Sequence, residues 1–277
     1  MYTVPASNLV AIVCILIFSF VLPIGLFIFW KIRTKANWSA FFIGCGTFVL
    51  FALILEQLLH TTVLTIAGDG LRNNLWLYAL YGGLAAGLFE ETGRFVAMKF
   101  WMKRTLSREN AVMYGIGHGG IECMLVVGMT YISNLVMALM INSGGLQALT
   151  GMMDEATAQT FQTAVEQLCT LPAWQFYMAG VERISAVLLH IGMSYLVYRA
   201  VRESRIRYYA ASVGVHFAVD AGTVVLTQYV SAIGVEIVLL AVVIVFIAWV
   251  MQQYRNEPDR NDTTGILRAG GTDDDEL

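Results

Sequence analysis

The chain has 277 residues, 57% of them hydrophobic and 13% charged, with a net charge of −3 and a mean hydropathy of +0.65. A soluble domain normally carries about 25% charged residues, so this chain has too few to cover a water-exposed surface. The small net charge points to no nucleic-acid partner, and Cys14, Cys45, Cys123 and Cys169 lack the spacing of a disulfide framework or a cysteine metal site.

The first apolar stretch, about Val10–Trp30, has no basic region before it and is longer than a signal-peptide core. It is long enough to span a bilayer and is expected to stay as the first transmembrane helix. Six more candidates follow at about Trp38–Leu59, Leu75–Trp101, Ala111–Ile141, Ala173–Tyr198, Ile206–Val230 and Val235–Gln252. Only helices satisfy the backbone of an open chain in lipid. The fold class is therefore an all-α, polytopic transmembrane helical bundle of about seven spans. Residues 1–255 form one integral membrane domain, multi-pass in a cell membrane.

Basic residues set the orientation. Lys31, Arg33 and Lys35 follow span one; Lys99, Lys103, Arg104 and Arg108 separate spans three and four; Arg199, Arg202, Arg205 and Arg207 separate five and six; and Arg255 and Arg260 follow seven. The alternate connections carry only Arg72. This predicts an outside N-terminus and a cytoplasmic C-terminus. A short surface helix is expected within Met152–Leu168, where Phe161, Val165 and Leu168 recur at helical spacing. The acidic segment 256–277, with Asp273, Asp274, Asp275 and Glu276, reads as a disordered cytoplasmic tail. Trp30, Trp38, Trp76 and Trp101 read as interfacial anchors.

Ionisable groups inside a membrane span are costly and mark function by default. Span three holds Glu90, Glu91 and Arg94; span four His118 and Glu122; span five Glu182, Arg183 and His190; span six His216 and Asp220. Glu90 lies nine residues before Lys99, His118 ten after Arg108, His190 nine before Arg199 and His216 nine after Arg207. Each is thus about 13–15 Å from its basic anchor along the helix, which predicts one common level. The pairs Glu90/Arg94, His118/Glu122 and His216/Asp220 are each four residues apart and share a helix face. Gly83 and Gly87 extend the Glu90 face, and Gly115, Gly117, Gly119 and Gly120 surround His118, permitting close helix approach.

Three imidazoles at one level, His118, His190 and His216, suit a Zn²⁺ ion with an open position for water. Glu90 or Glu91 is the natural acceptor for the proton of that water. Arg94 would hold the other carboxylate ionised or steady an oxyanion. Glu122 and Asp220, one turn beyond their histidines, would orient the imidazoles or bind metal directly. Glu182 and Arg183 either line an entrance or form an interhelical bridge. The bland alternative for Glu90, Glu91 and Arg94 is a structural ion pair. His60, at the outer end of span two with Glu56 one turn below, reads as an interfacial structural pair.

Glu90-Glu91-Thr92-Gly93-Arg94, Gly117-His118-Gly119-Gly120-Ile121-Glu122, Glu182-Arg183 with His190, and His216-Phe217-Ala218-Val219-Asp220 together resemble the YhfC family of intramembrane metalloproteases. More distantly they resemble PrsW proteases and the CPBP (CAAX-type) membrane proteases. The motifs cover residues 81–220. The resemblance implies that Glu90 activates water, that His118 and His216 are family histidines and that His190 is the additional one. Two residues separate Glu91 from Arg94 where the CAAX-type motif has three, and Asp220 stands where Asn is frequent. These departures favour YhfC or PrsW over a prenyl-protein protease. The implied activity is metal-dependent hydrolysis of a peptide bond in or near the cytoplasmic half of the membrane, on a membrane protein or peptide substrate. The competing reading is a proton- or metal-coupled transporter using the same polar cluster. Neither reading fixes an oligomeric state.

Overall fold

The computed structural model describes residues 2–145 and 154–257, and every regular element among them is helical. Helix α1 is Ala6–Thr34 and α2 is Trp38–Arg72. Helix α3 is Leu75–Val96, prolonged by a π-helical turn over Ala97–Trp101. Helix α4 is Arg108–Asn142, α5 Glu155–Thr170, α6 Ala173–Arg202, α7 Ile206–Leu226 and α8 Ala232–Asn256. Six of these are long and apolar enough to cross a membrane, namely α1, α2, α4, α6, α7 and α8. Helix α3, the other expected span, falls outside that set; it carries Glu90, Glu91 and Arg94. The acidic tail beyond Glu257 and the first part of the expected Met152–Leu168 helix lie outside the described residues.

Local sequence sets the helix ends. Asn74, Ser107, Asp154 and Ser231 each accept a hydrogen bond from the backbone N–H three residues on, satisfying a donor that the first turn leaves free. The second span runs well past its expected end at Leu59, to Arg72. That extension buries no residue. It carries Thr61, Thr62 and Thr65, whose hydroxyls bond carbonyls one turn back, and these side chains give it no apolar signal.

Successive helices alternate in direction. At one end Trp30 Nε1 donates to the Glu109 carbonyl at 2.9 Å and Asn37 N to Asn110 Oδ1 at 2.7 Å. Arg108 there reaches the carbonyls of Tyr254 and Glu257. At the other end Val4 N donates to Asn142 Oδ1 at 2.8 Å, and Asn8 Nδ2 to the carbonyls of Leu168 and Leu171. The basic connections thus gather at a single end of the bundle.

Two apolar clusters flank the middle of the bundle. Met98, Met102, Tyr114, Tyr195 and Tyr198 pack toward the basic end, and Ile12, Ile15, Val127, Tyr131 and Phe176 toward the other. The large apolar side chains of α1 and α8 that face outward, such as Ile17, Val21, Ile237 and Val245, present the surface a bilayer requires.

Close helix contact in the middle layer depends on glycine. A Cβ on Gly115 of α4 would lie 2.7 Å from Ile191 Cα on α6, and one on Gly83 of α3 would lie 2.9 Å from the Phe217 carbonyl oxygen on α7. Overpacking of this kind costs about 1–3 kcal/mol. Gly115→Ala is therefore expected to lower thermal stability in detergent. Gly46→Ala, where a Cβ meets nothing within 4 Å, should leave it unchanged or slightly raised. Parallel melting curves of the two variants check this.

Candidate metal centre

Four helices deliver the polar groups to the middle of the bundle. Glu90, Glu91 and Arg94 come from α3, His118 and Glu122 from α4, Arg183 and His190 from α6, and Ser212, His216 and Asp220 from α7. Glu90, His118 and His190 are buried and offer one ligand atom each, all within 4.8 Å of one another. His118 Nε2 lies 2.9 Å from Glu90 Oε2, and His190 Nδ1 lies 4.0 Å from the same oxygen. The two imidazole rings are 4.8 Å apart at their centroids.

This donor set fits a divalent cation. Two imidazoles and one carboxylate are ligands that catalytic zinc sites use. His118 Nδ1 is buried without a hydrogen-bond partner, so no protein group competes to turn the ring away from Glu90. The Glu90 carboxylate bonds through Oε2, and no protein hydrogen bond reaches its Oε1 among the described residues.

His216 stands on the other side of His190, with ring centroids 5.7 Å apart. Its Nδ1 lies 3.0 Å from Glu91 Oε1 and its Nε2 lies 3.4 Å from Asp220 Oδ2. With both nitrogens turned to carboxylates, His216 is outside the convergent group, and Glu90 takes the place the sequence reading gave it. The grouping turns on ring direction, which spacing does not encode.

Glu91 and Arg94 are fully buried and pair at 3.0 Å. Glu91 also accepts from the Ser212 hydroxyl, and Arg94 Nη2 donates to His190 Nδ1 at 3.0 Å. Ser212 was not among the sequence candidates. Its signal was available, because it sits four residues before His216 on the same face of α7.

Glu122 was expected to serve His118 on its own helix. Instead its Oε2 lies 2.7 Å from His190 Nε2, and its Oε1 accepts from Arg183 Nη1 at 2.7 Å. Arg183 also grips Glu182 through Nε at 2.6 Å and through Nη2. Arg183 thereby links α6 to α4. The expected His60/Glu56 pair is present, and Glu56 lies deeper than its partner. It is buried, keeps His60 Nε2 at 3.1 Å, and is near enough to interact electrostatically with His216 and Asp220. Glu56 is the last residue of the π-helical stretch Val49–Glu56. His60 in turn contacts the Tyr81 hydroxyl at 2.8 Å. Glu236 of α8 was missed altogether, as a lone acid near a helix end. It interacts electrostatically with Glu182 and Arg183.

Comparison with known proteins supplies the family context. The family model described as "YhfC intramembrane metalloprotease" matches residues 18–255. A Bacillus subtilis (strain 168) protein named "Uncharacterized membrane protein YhfC" is 35% identical over 242 residues, covering 86% of this chain and 93% of that one. No solved structure matches the chain.

The Glu91–Arg94 pair yields a prediction. Removing one partner of a buried ion pair typically costs about 3–5 kcal/mol, whereas replacing both by apolar groups is often neutral. Arg94→Met should lower the melting temperature sharply, and Arg94→Met with Glu91→Met should recover much of it. A melting series over wild type, single and double variants tests this.

Proposed function

The chain belongs to the YhfC intramembrane metalloprotease family, and from that membership we propose that it is a zinc-dependent peptidase whose metal is held by Glu90, His118 and His190. The observation that carries the proposal is the convergence of those three buried donors in the middle of a helical bundle. Zinc in such a site would polarise a carbonyl and make water nucleophilic near neutral pH.

The surrounding side chains divide the rest of the work. Glu90 Oε1, not engaged by the protein, is placed to take the proton of the attacking water. Arg94 Nε is a buried N–H without a partner, and a donor of that kind is suited to the negative charge that develops on a carbonyl oxygen. Glu91, held by Arg94, Ser212 and His216, keeps the guanidinium in place. Both nitrogens of His216 are turned to carboxylates, Nδ1 to Glu91 and Nε2 to Asp220, so His216 serves this network rather than the metal. The bundle excludes bulk water, which strengthens each of these interactions. The substrate is a membrane protein or peptide, cleaved at a bond that reaches this layer.

The transporter reading has one observation on its side. Tyr81, His60 and Glu56 form a hydrogen-bonded series toward His216 and Asp220, as a proton relay would. Proteoliposome flux measurements separate the two. Peptidase function predicts no metal or proton flux above that of empty vesicles.

Three variants test the assignment together. Glu90→Gln should cut cleavage by about 100-fold or more while membrane abundance stays normal. His118→Ala should lose bound metal, and His216→Ala should retain it while losing activity. Metal analysis of purified protein beside a cleavage assay reads all three. Undiminished cleavage by Glu90→Gln would sink the proposal.

A further inference from the structure

We infer that Arg183 is a positioning residue for the centre. Acting through Glu122, it fixes which nitrogen of His190 faces Glu90 and His118. The inference deepens the peptidase reading and rests on it only where metal affinity is concerned.

Arg183 and His190 are seven residues apart on α6, hence on one face and about 10 Å apart along the axis. Glu122 crosses from α4 and spans that gap, with Oε1 on Arg183 Nη1 at 2.7 Å and Oε2 at 2.7 Å from His190 Nε2. A carboxylate paired with a guanidinium is an acceptor only. A nitrogen lone pair held that close to it would be repelled, so Nε2 carries the hydrogen.

The other side of the ring leads to the same tautomer by an independent route. Arg94 Nη2 lies 3.0 Å from His190 Nδ1, and a guanidinium has no acceptor to offer. Nδ1 therefore keeps its lone pair, which accepts from Arg94 and which a bound metal would take over. That nitrogen lies 4.0 Å from Glu90 Oε2. Two arginines, one on each side of the layer, thus dictate a single orientation and a single tautomer.

Arg183 is well anchored for this task. Glu182 takes both Nε and Nη2, which leaves Nη1 committed to Glu122. Arg183 and His190 are both buried, so water does not supply a substitute partner at little cost. Lysine carries a point charge without the fork, and could not hold Glu182 and Glu122 at once with this geometry. Carboxylates that orient a ligating histidine typically matter by about 10–100-fold in metal affinity. Arg183 is expected to act at that level one step further out.

The test uses the full chain in nanodiscs with isotope-labelled histidine. The His190 signals are assigned by their loss in His190→Gln. Without metal, wild type should show His190 protonated at Nε2 and bare at Nδ1, with its Nε2–H proton shifted far downfield by the carboxylate. Glu122→Ala and Arg183→Gln should abolish that shift, and Arg183→Lys should keep part of it. Zinc affinity should fall by about 10–100-fold in Arg183→Gln and by less in Arg183→Lys. If Arg183→Gln does not fold, Glu182→Gln loosens the fork from its outer side and should move both readouts in the same direction, by less. A proton on Nδ1 in wild type, or an Nε2–H signal indifferent to both Glu122→Ala and Arg183→Gln, overturns the inference. Wild type that shows the Nε2–H form yet binds no zinc upholds the positioning role and defeats the peptidase reading instead.

Discussion

A fully buried guanidinium organises this molecule. Arg94 sits where solvation cannot help it, and a charge taken from water into a low-dielectric interior must be matched by fixed partners. It has Glu91 beside it on α3 and His190 across on α6. Glu91 in turn collects Ser212 and His216 from α7. Three helices are thereby locked in depth and in rotation by one demand for charge compensation. The fourth, α4, joins through Glu122 and Arg183, a second pairing under the same demand. Apolar packing holds the bundle together above and below this layer, but apolar contacts tolerate sliding. The buried ion pairs do not.

That division explains how much could be read from the amino-acid sequence. Helical class, span order and the common depth of Glu90, His118, His190 and His216 follow from hydropathy, basic connections and a rise of about 1.5 Å per residue. The glycines around His118 announced close contact, and Gly115 and Gly119 do meet α6 at backbone distance. Partner choice within the layer was less legible. Periodicity says that Glu122 shares a face with His118, yet both project toward α6, and His190 is the imidazole that the carboxylate reaches. His216 looked equivalent to the other histidines by spacing and differs from them by its neighbours, which only packing reveals.

The same layer would reconcile the proposed hydrolytic centre with a membrane interior. Water, a metal and a peptide backbone are all foreign to hydrocarbon, so a site for them has to bring its own hydrogen-bonding groups. Most of those groups here are already paired with one another. Those that are not include Glu90 Oε1, Arg94 Nε and His118 Nδ1 at the centre, and Glu56 Oε2, Tyr114 OH and Glu236 Oε2 elsewhere among the described residues.

Three of the helices contain stretches wound with π pitch: Val49–Glu56, Ala97–Trp101 and Cys123–Gly128. The first ends on the buried Glu56, the second begins three residues after Arg94, and the third directly follows Glu122. A π turn takes up a residue that an α-helix would not need. Losing one residue from such a stretch would return it to α pitch and rotate everything beyond it by about 100° relative to its neighbours. Length in these segments is thus under tighter constraint than side-chain identity. Substitutions among their apolar residues can be absorbed by lipid or by repacking. A single-codon deletion would swing a whole helical face away from its partners, and relatives that keep this centre should show gaps in their connecting loops sooner than inside these three spans.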